Sequence, residues 1–287
     1  MNYVHSLSEE RRQKLLRDLN RIASEAKDVP YGKQFRLDDC TVTVYDSGKA
    51  VFQGANSQYY AENLIAVSDV ILPQCGSDEV GTGDLFGPIC VCACYIDKKI
   101  YEQIRDLHLI DSKQLTDEMI MEMGPKLVKT VPHSLLILNN EKFNEVNKTN
   151  NLNEIKARMH NKCYLNLQDR GIRLPKVTVI DQFCPDYSYY RYLRNEERIV
   201  RGITFTTKAE NQYIAVACGA IISRYGFLLT MEEMEEKYDF IFPKGAGGKT
   251  DEALKEFIER YGLQELAKVC KLSWKNVRNL LSVAAED

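Results

Sequence analysis

Asp78 and Glu79 are adjacent carboxylates inside a glycine-rich stretch, GSDEVGTGD at 76–84, just past the apolar run Val70-Ile71-Leu72. Carboxylate oxygens at a strand end hold hard divalent cations, and the glycines Gly81 and Gly83 flanking Thr82 let a ligand approach the backbone. The same composition fits a solvated hairpin tip, because turns favour Gly and Asp. Successive strand residues point to opposite faces, so the pair converges on one site only where the strand has ended or bulged. Asp181 follows the strand pattern Lys176–Ile180, where ligands of open α/β sheets sit, although a helix or turn cap is the favoured account of a lone Asp. Glu210 lies on a predicted helix beginning near Lys208 and shares its side with Tyr213, Ile214, Ala217, Cys218 and Ile221. A carboxylate on an apolar stripe is costly unless it is paired or binds a metal, yet Thr207 and Glu210 also have capping-box spacing. Together the acidic positions 78, 79, 181 and 210 point to a carboxylate cage for two Mg²⁺ or Mn²⁺ ions, a site suited to phosphoryl transfer.

Other chemistry is poorly supported. Gly245–Thr250 reads GAGGKT, but a phosphate-binding P-loop needs glycine at position 243, which is Pro243. Lys244 and Lys249 remain able to touch phosphate, or to sit in a solvated turn. Asp111-Ser112-Lys113 is a short polar cluster whose lysine suits a phosphate contact or a plain loop. The run Tyr187–Arg201 interleaves tyrosines and arginines, which fits base stacking and phosphate neutralisation or simply an apolar helix face with a charged back. Cys90, Cys92 and Cys94 alternate along a predicted strand and read as core residues.

The elements that must position these residues alternate between strand and helix, which is an α/β pattern. Residues 7–26 form a helical pattern with Ser6 or Ser8 as cap, 41–54 a hairpin turning at Asp46-Ser47-Gly48, and 56–67 a second helix. Residues 1–68 carry 9 basic and 9 acidic side chains and make a small neutral α/β module, with a second unit starting near Val70. There, strands are expected at 70–72, 88–96, 134–138, 176–180 and 203–206. Helices are expected at 117–129 (capped by Thr116), 150–170, 208–225, 251–261 and 263–270.

The chain has 287 residues, 44% apolar and 28% charged, a globular composition with a net charge of −3. No global cationic field exists, so nucleic-acid binding must come from local patches. Nine cysteines, no CxxC and four histidines disfavour a structural zinc site and predict reduced thiols, hence a cytoplasmic setting. The amino-terminal residues lack the apolar region of a signal peptide, and the longest apolar run, 85–96, is too short to span a bilayer, so no membrane association is expected.

The segments GSDEVGTGDLFGPI (76–89), DSKQLT (111–116), VIDQF (179–183), TKAEN (207–211) and FPKGAG (242–247) resemble, in content and order, those of bacterial ribonuclease HIII, a type 2 ribonuclease H. The stretch at 32–54 resembles that family's small TATA-box-binding-protein-like domain. The resemblance implies an α/β ribonuclease H-like domain over 69–287, with a mixed central sheet flanked by helices, and a substrate-binding α/β domain over 1–68. It implies an endonuclease that hydrolyses the RNA strand of RNA/DNA hybrids and leaves 5′-phosphate and 3′-hydroxyl ends. Its acidic positions fall on Asp78, Glu79, Asp181 and Glu210, as catalytic residues and ligands of two Mg²⁺ or Mn²⁺ ions. Gly81, Thr82, Gly83, Ser112, Lys113 and Lys244 become substrate-binding residues, with the Gly81–Gly83 backbone against ribose 2′-hydroxyls. Thr82 fits the HIII version, since the related ribonuclease HII has arginine or lysine there. Phe242 and Leu85 depart from the residues usual at their positions. No obligate protein partner is implied. The alternatives are ribonuclease HII-like cutting at single ribonucleotides, a non-catalytic nucleic-acid-binding module, and a nucleotide-hydrolysing enzyme, the last opposed by Pro243.

Overall fold

The computed structural model describes residues 2–7, 9–65, 70–107, 109 and 115–278, the side chains of 10, 62, 63 and 65 excepted. The chain divides into two compact units, Met1–Val70 and Ile71–Asp287.

The first unit is an antiparallel sheet with two helices. Its elements are β1 (Asn2–Ser6), α1 (Glu9–Ile22), β2 (Glu25–Val29), β3 (Gly32–Arg36), β4 (Cys40–Tyr45), β5 (Lys49–Gly54) and α2 (Ser57–Ile65), in strand order β1-β5-β4-β3-β2. The predicted hairpin is present, with Val42 opposite Phe52 and Val44 opposite Ala50. Phe35, Val42, Val44, Ala50 and Phe52 bury one face of the sheet against Leu15, Leu19 and Ala61 of the helices. The first helix is shorter than its sequence pattern, and β1, β2 and β3 were not expected. Four of five β2 residues are exposed, so an edge strand such as Glu25–Val29 carries no alternation to read. Ser8, one of the two candidate caps, lies outside the described residues.

The second unit is a mixed five-stranded sheet, the architecture the sequence implies. Its strands are β6 (Gln74–Val80), β7 (Ile89–Ile96), β8 (His133–Leu138), β9 (Val177–Asp181) and β10 (Thr204–Thr206), in order β10-β9-β6-β7-β8. The β6–β9 and β9–β10 pairs are parallel, and β6–β7 and β7–β8 are antiparallel. Its helices are α3 (Lys98–Ile104), α4 (Asp117–Thr130), α5 (Asn140–Val146), α6 (Leu152–Asp169), α7 (Asp186–Tyr192), α8 (Ile214–Tyr238) and α9 (Gly248–Val269). Thr116 caps α4 as expected, accepting from the Met119 N–H at 3.4 Å. The two expected C-terminal helices are the halves of α9, parted at Gly262, whose φ is 81°.

The sheet separates two apolar layers. On one face, Cys75, Val91, Ala93 and Ile180 pack with Ile155, Cys163 and Tyr164 of α6 and with Tyr189 of α7. On the other lies α8. A Cβ at Gly76 would meet the Val216 backbone nitrogen at 2.4 Å, and one at Gly219 would meet the Cys92 carbonyl oxygen at 2.8 Å. Glycine at both positions lets strand and helix backbones approach closely. Helix α8 has an 18-residue window of mean hydropathy 1.7, long and apolar enough to cross a bilayer, but 72% of that window is buried inside the unit, as a core helix requires. All nine cysteines are free and buried, Cys90, Cys92 and Cys94 among them.

Two expected elements are displaced. The strand expected at 70–72 begins instead at Gln74 and runs through Asp78 and Glu79 to Val80. The helix expected from Lys208 begins at Ile214.

Candidate active site

Asp78 and Glu79 lie within β6, not beyond its end. Asp78 pairs with Cys92 and Glu79 with Val91. Strand alternation therefore sends them to opposite faces. Gly76 opens toward Val216 of α8, which places Asp78, two residues on, on the α8 face. Glu79 points to α6.

On the α8 face Asp78 lies within reach of the charges of two further carboxylates, Asp181 and Glu210. The parallel register pairs Ser77 with Ile180, so Asp78 within β6 and Asp181 at the carboxyl end of β9 are the next residues along neighbouring strands. Asp181 Oδ1 accepts from the Ala209 N–H at 2.9 Å and so pins the short 3₁₀ turn Ala209–Asn211 that carries Glu210. Asn211 Nδ2 donates to Glu210 Oε1 at 3.1 Å. The capping-box reading of Glu210 does not hold. Lys208 before the turn is left-handed, with φ 55°, no side chain caps the turn, and α8 starts later. Burial, followed by the charges of Glu79, Asp181 and Glu210, pushes the Asp78 carboxyl well above the usual carboxylate range. Among the described residues, no basic side chain lies within ion-pair distance of Asp78, Asp181 or Glu210. This oxygen-only, cation-poor donor set suits a hard divalent cation. Among the same residues, no group of three or more His, Cys, Asp or Glu side chains is close enough to form a preassembled metal centre.

Glu79 has partners that the sequence reading missed. Lys156 Nζ donates to its Oε1 at 2.8 Å, and His160 Nε2 lies 2.8 Å from its Oε2. Ser77 Oγ, 2.8 Å from His160 Nδ1, orients the ring from its other side. Phe183 stacks on His160 at 5.3 Å, and Lys156 Nζ sits 4.1 Å above the Phe183 ring. Burial opposes the Glu79 charge, but His160 and Lys156 outweigh it and hold this carboxyl below its ordinary value. The readable signal was Lys156 and His160 one helical turn apart on the apolar side of α6.

The glycine loop leaves β6 at Gly81, whose φ is 89° and whose Cβ would meet the Pro88 carbonyl oxygen at 2.1 Å. Thr82 is half-buried. Gly83 is exposed, has no left-handed φ, and would place a Cβ with nothing within 4 Å among the described residues. Among the described residues, neither packing nor backbone conformation requires glycine there, and its open side leaves the backbone accessible. Lys244 forms an ion pair with Asp117, whose carboxylate also takes Arg224 Nε at 2.9 Å. Ser112 and Lys113 lie outside the described residues. Of the tyrosine–arginine run, Tyr189 is core, Arg201 stacks over Tyr190 at 4.8 Å, and Arg198 pairs with Asp169 at 2.8 Å.

The family described as Ribonuclease HII matches residues 75–277, and a domain of unknown function (DUF3378) matches 2–70. Curated relatives include Ribonuclease HIII of Listeria monocytogenes serotype 4b (strain CLIP80459), 38% identical over 264 residues, covering 85% of this chain and 86% of the relative. Ribonuclease HIII of Bacillus cereus (strain AH187) is 36% identical over 274 residues, covering 86% and 88%. A crystal structure of Bst-RNase HIII in complex with Mn²⁺ aligns over 100% of both chains, with a TM-score of 0.74 and 33% identity.

Proposed function

Because this chain belongs to the ribonuclease HIII family, we propose that it cleaves the RNA strand of RNA/DNA hybrids by metal-dependent hydrolysis, leaving 5′-phosphate and 3′-hydroxyl ends. The chain is a ribonuclease H endonuclease. The observation that carries the chemistry is the buried Asp78 carboxyl, which feels the charges of Asp181 and Glu210 and has no basic partner among the described residues. These three, with Glu79 as the fourth member of the set by resemblance, would hold two Mg²⁺ or Mn²⁺ ions. Such ions, when bound, activate water and stabilise charge on the departing 3′-oxygen. Asp181 also holds the Glu210 turn in place, and Lys156 and His160 hold Glu79.

Recognition of RNA falls to the Gly81–Gly83 backbone, where a 2′-hydroxyl can approach the open side of Gly83. Lys244 is the phosphate contact, steadied by Asp117. Ser112 and Lys113 complete the substrate-binding set by resemblance. The amino-terminal unit, 1–68, is a second substrate-binding surface. Gln34 and Thr43, joined at 3.1 Å, lie on the sheet face opposite the buried Phe35 and Val42. Nine buried free thiols support a reducing compartment, the cytoplasm.

The test is a gel assay on end-labelled RNA/DNA hybrid with Mg²⁺, Mn²⁺ or EDTA, beside a duplex carrying one ribonucleotide. Metal-dependent internal cuts in the hybrid RNA, with little cutting of the second substrate, are expected. Efficient cutting at the single ribonucleotide would indicate ribonuclease HII-like specificity, and binding without cutting would leave a non-catalytic binding module.

A further inference from the structure

Lys271 is 1% exposed, and among the described residues no carboxylate lies within ion-pair distance of its amine. It ends on backbone instead: Nζ donates to the carbonyl oxygens of Asp84 at 2.8 Å and Gly87 at 2.6 Å. Both carbonyls belong to the loop that begins at Gly81. A buried amine without a counter-ion is unfavourable where a methionine would fill the same volume. Burial pushes its pKa down to about 8, against the pull of Asp84.

The surroundings fix this amine from behind. Asn144 Nδ2 donates to the carbonyl oxygens of Ala267 at 3.0 Å and Cys270 at 2.9 Å, and its Oδ1 accepts from the Leu272 N–H at 2.9 Å. Asn140 Nδ2 donates to the Gly87 carbonyl oxygen at 2.9 Å, on the same acceptor as Lys271. The Lys271 N–H donates to the Leu85 carbonyl oxygen at 3.1 Å, and the Gly87 N–H to that of Val269 at 3.1 Å. Asp84 Oδ1 accepts from the Gly245 N–H at 2.7 Å. The far half of the loop is thus tied to the carboxyl-terminal segment, while Thr82 and Gly83 stay toward solvent.

We propose that Lys271 is a positioning residue for RNA recognition: it holds the 81–87 loop in the shape that reads the ribose backbone, so preference for hybrid over DNA duplex is set from the carboxyl-terminal segment. This rests on the ribose-reading role proposed above for the glycine loop. Lys271 touches no substrate itself. Its removal alters the loop, whereas phosphate contacts elsewhere are untouched.

The experiment compares the whole wild-type protein with Lys271→Met by fluorescence anisotropy in EDTA, using a labelled RNA/DNA hybrid and a DNA duplex of the same sequence. The wild type is expected to prefer the hybrid. The variant should lose at least about fivefold of that preference, the scale of a lost hydrogen bond, with DNA-duplex affinity within about twofold. A purely structural role would lower thermal stability and leave the ratio of affinities unchanged. A folded Lys271→Met protein with the wild-type ratio overturns the proposal. A wild type with no hybrid preference overturns the ribose-reading role itself. Should Lys271→Met fail to give a folded circular dichroism spectrum, Lys271→Gln, which keeps a donor too short to reach both carbonyls, must shift the ratio in the same direction. An unchanged ratio there overturns the proposal equally.

Discussion

The ammonium of Lys156 lies 2.8 Å from Glu79 Oε1, on the face of β6 opposite Asp78, with both side chains about one-tenth exposed. One strand thereby separates two adjacent carboxylates into different electrostatic surroundings. Removing one partner of a buried pair costs about 3–5 kcal/mol. Lys156→Met should therefore lower the metal-free melting temperature by about 6–20 °C, at roughly 2–4 °C per kcal/mol for a unit of this size. Adding Glu79→Gln should recover part of that loss. The lowered Glu79 pKa makes its stabilisation present above the unfolded carboxyl value of about 4.3 and lost as pH falls through the folded value. Calorimetry between acid and neutral pH checks both, and a single variant that melts with the wild type would remove the pair from the stability account.

Asp78 carries the opposite sign. Its raised carboxyl gives stability fully present below the unfolded value of about 3.9 and lost as pH rises through the folded value. Asp78→Asn should raise the metal-free melting temperature at neutral pH. Mn²⁺ should stabilise the wild type and leave the variant nearly unmoved. Cleavage should fall by more than the 10–100-fold typical of outer-sphere changes, while hybrid binding persists. Full activity in Asp78→Asn would sink the site assignment.

The two loop glycines should part company. Gly81→Ala meets the Pro88 carbonyl and a left-handed φ, so it should destabilise by about 1–3 kcal/mol. Gly83→Ala meets nothing among the described residues and should stay within about 0.5 kcal/mol of wild type. Its KM for hybrid should nonetheless rise several-fold. Steady-state kinetics beside thermal melts give the answer, and an unchanged KM would mean that nothing approaches Gly83.

Removal of residues 1–70 should weaken hybrid affinity and flatten its salt dependence, the slope falling by about one for each phosphate that is no longer neutralised. Anisotropy titrations at several salt concentrations measure it. Equal affinity and slope would rule out substrate binding by that unit.

Much of the fold was readable because its signals are local. The Val42–Phe52 hairpin alternates, Thr116 caps where a cap residue stands, and Val177–Ile180 is an apolar run. The polar edge strand Glu25–Val29 left no such trace. The four acidic positions were legible as residue types, but their orientation was not. Whether β6 stopped before Asp78 or ran past it depended on pairing with Cys92 and Val91 across the glycine-rich loop, which the residues at 78 and 79 do not themselves reveal. Lys156 and His160 were hidden for the same reason, since only the fold reveals that α6 covers Glu79. Glu210 looked like a helix residue because Thr207 supplied a plausible cap, and the left-handed Lys208 overrode it.

Helix α8 has a consequence for synthesis. Its apolar window would attract targeting factors or chaperones if it lingered exposed at the ribosome. Gly76 and Cys92, against which it closes, lie more than a hundred residues upstream and have emerged well before it. The order of elements along the gene therefore prepares a seat for the greasiest segment before that segment is made.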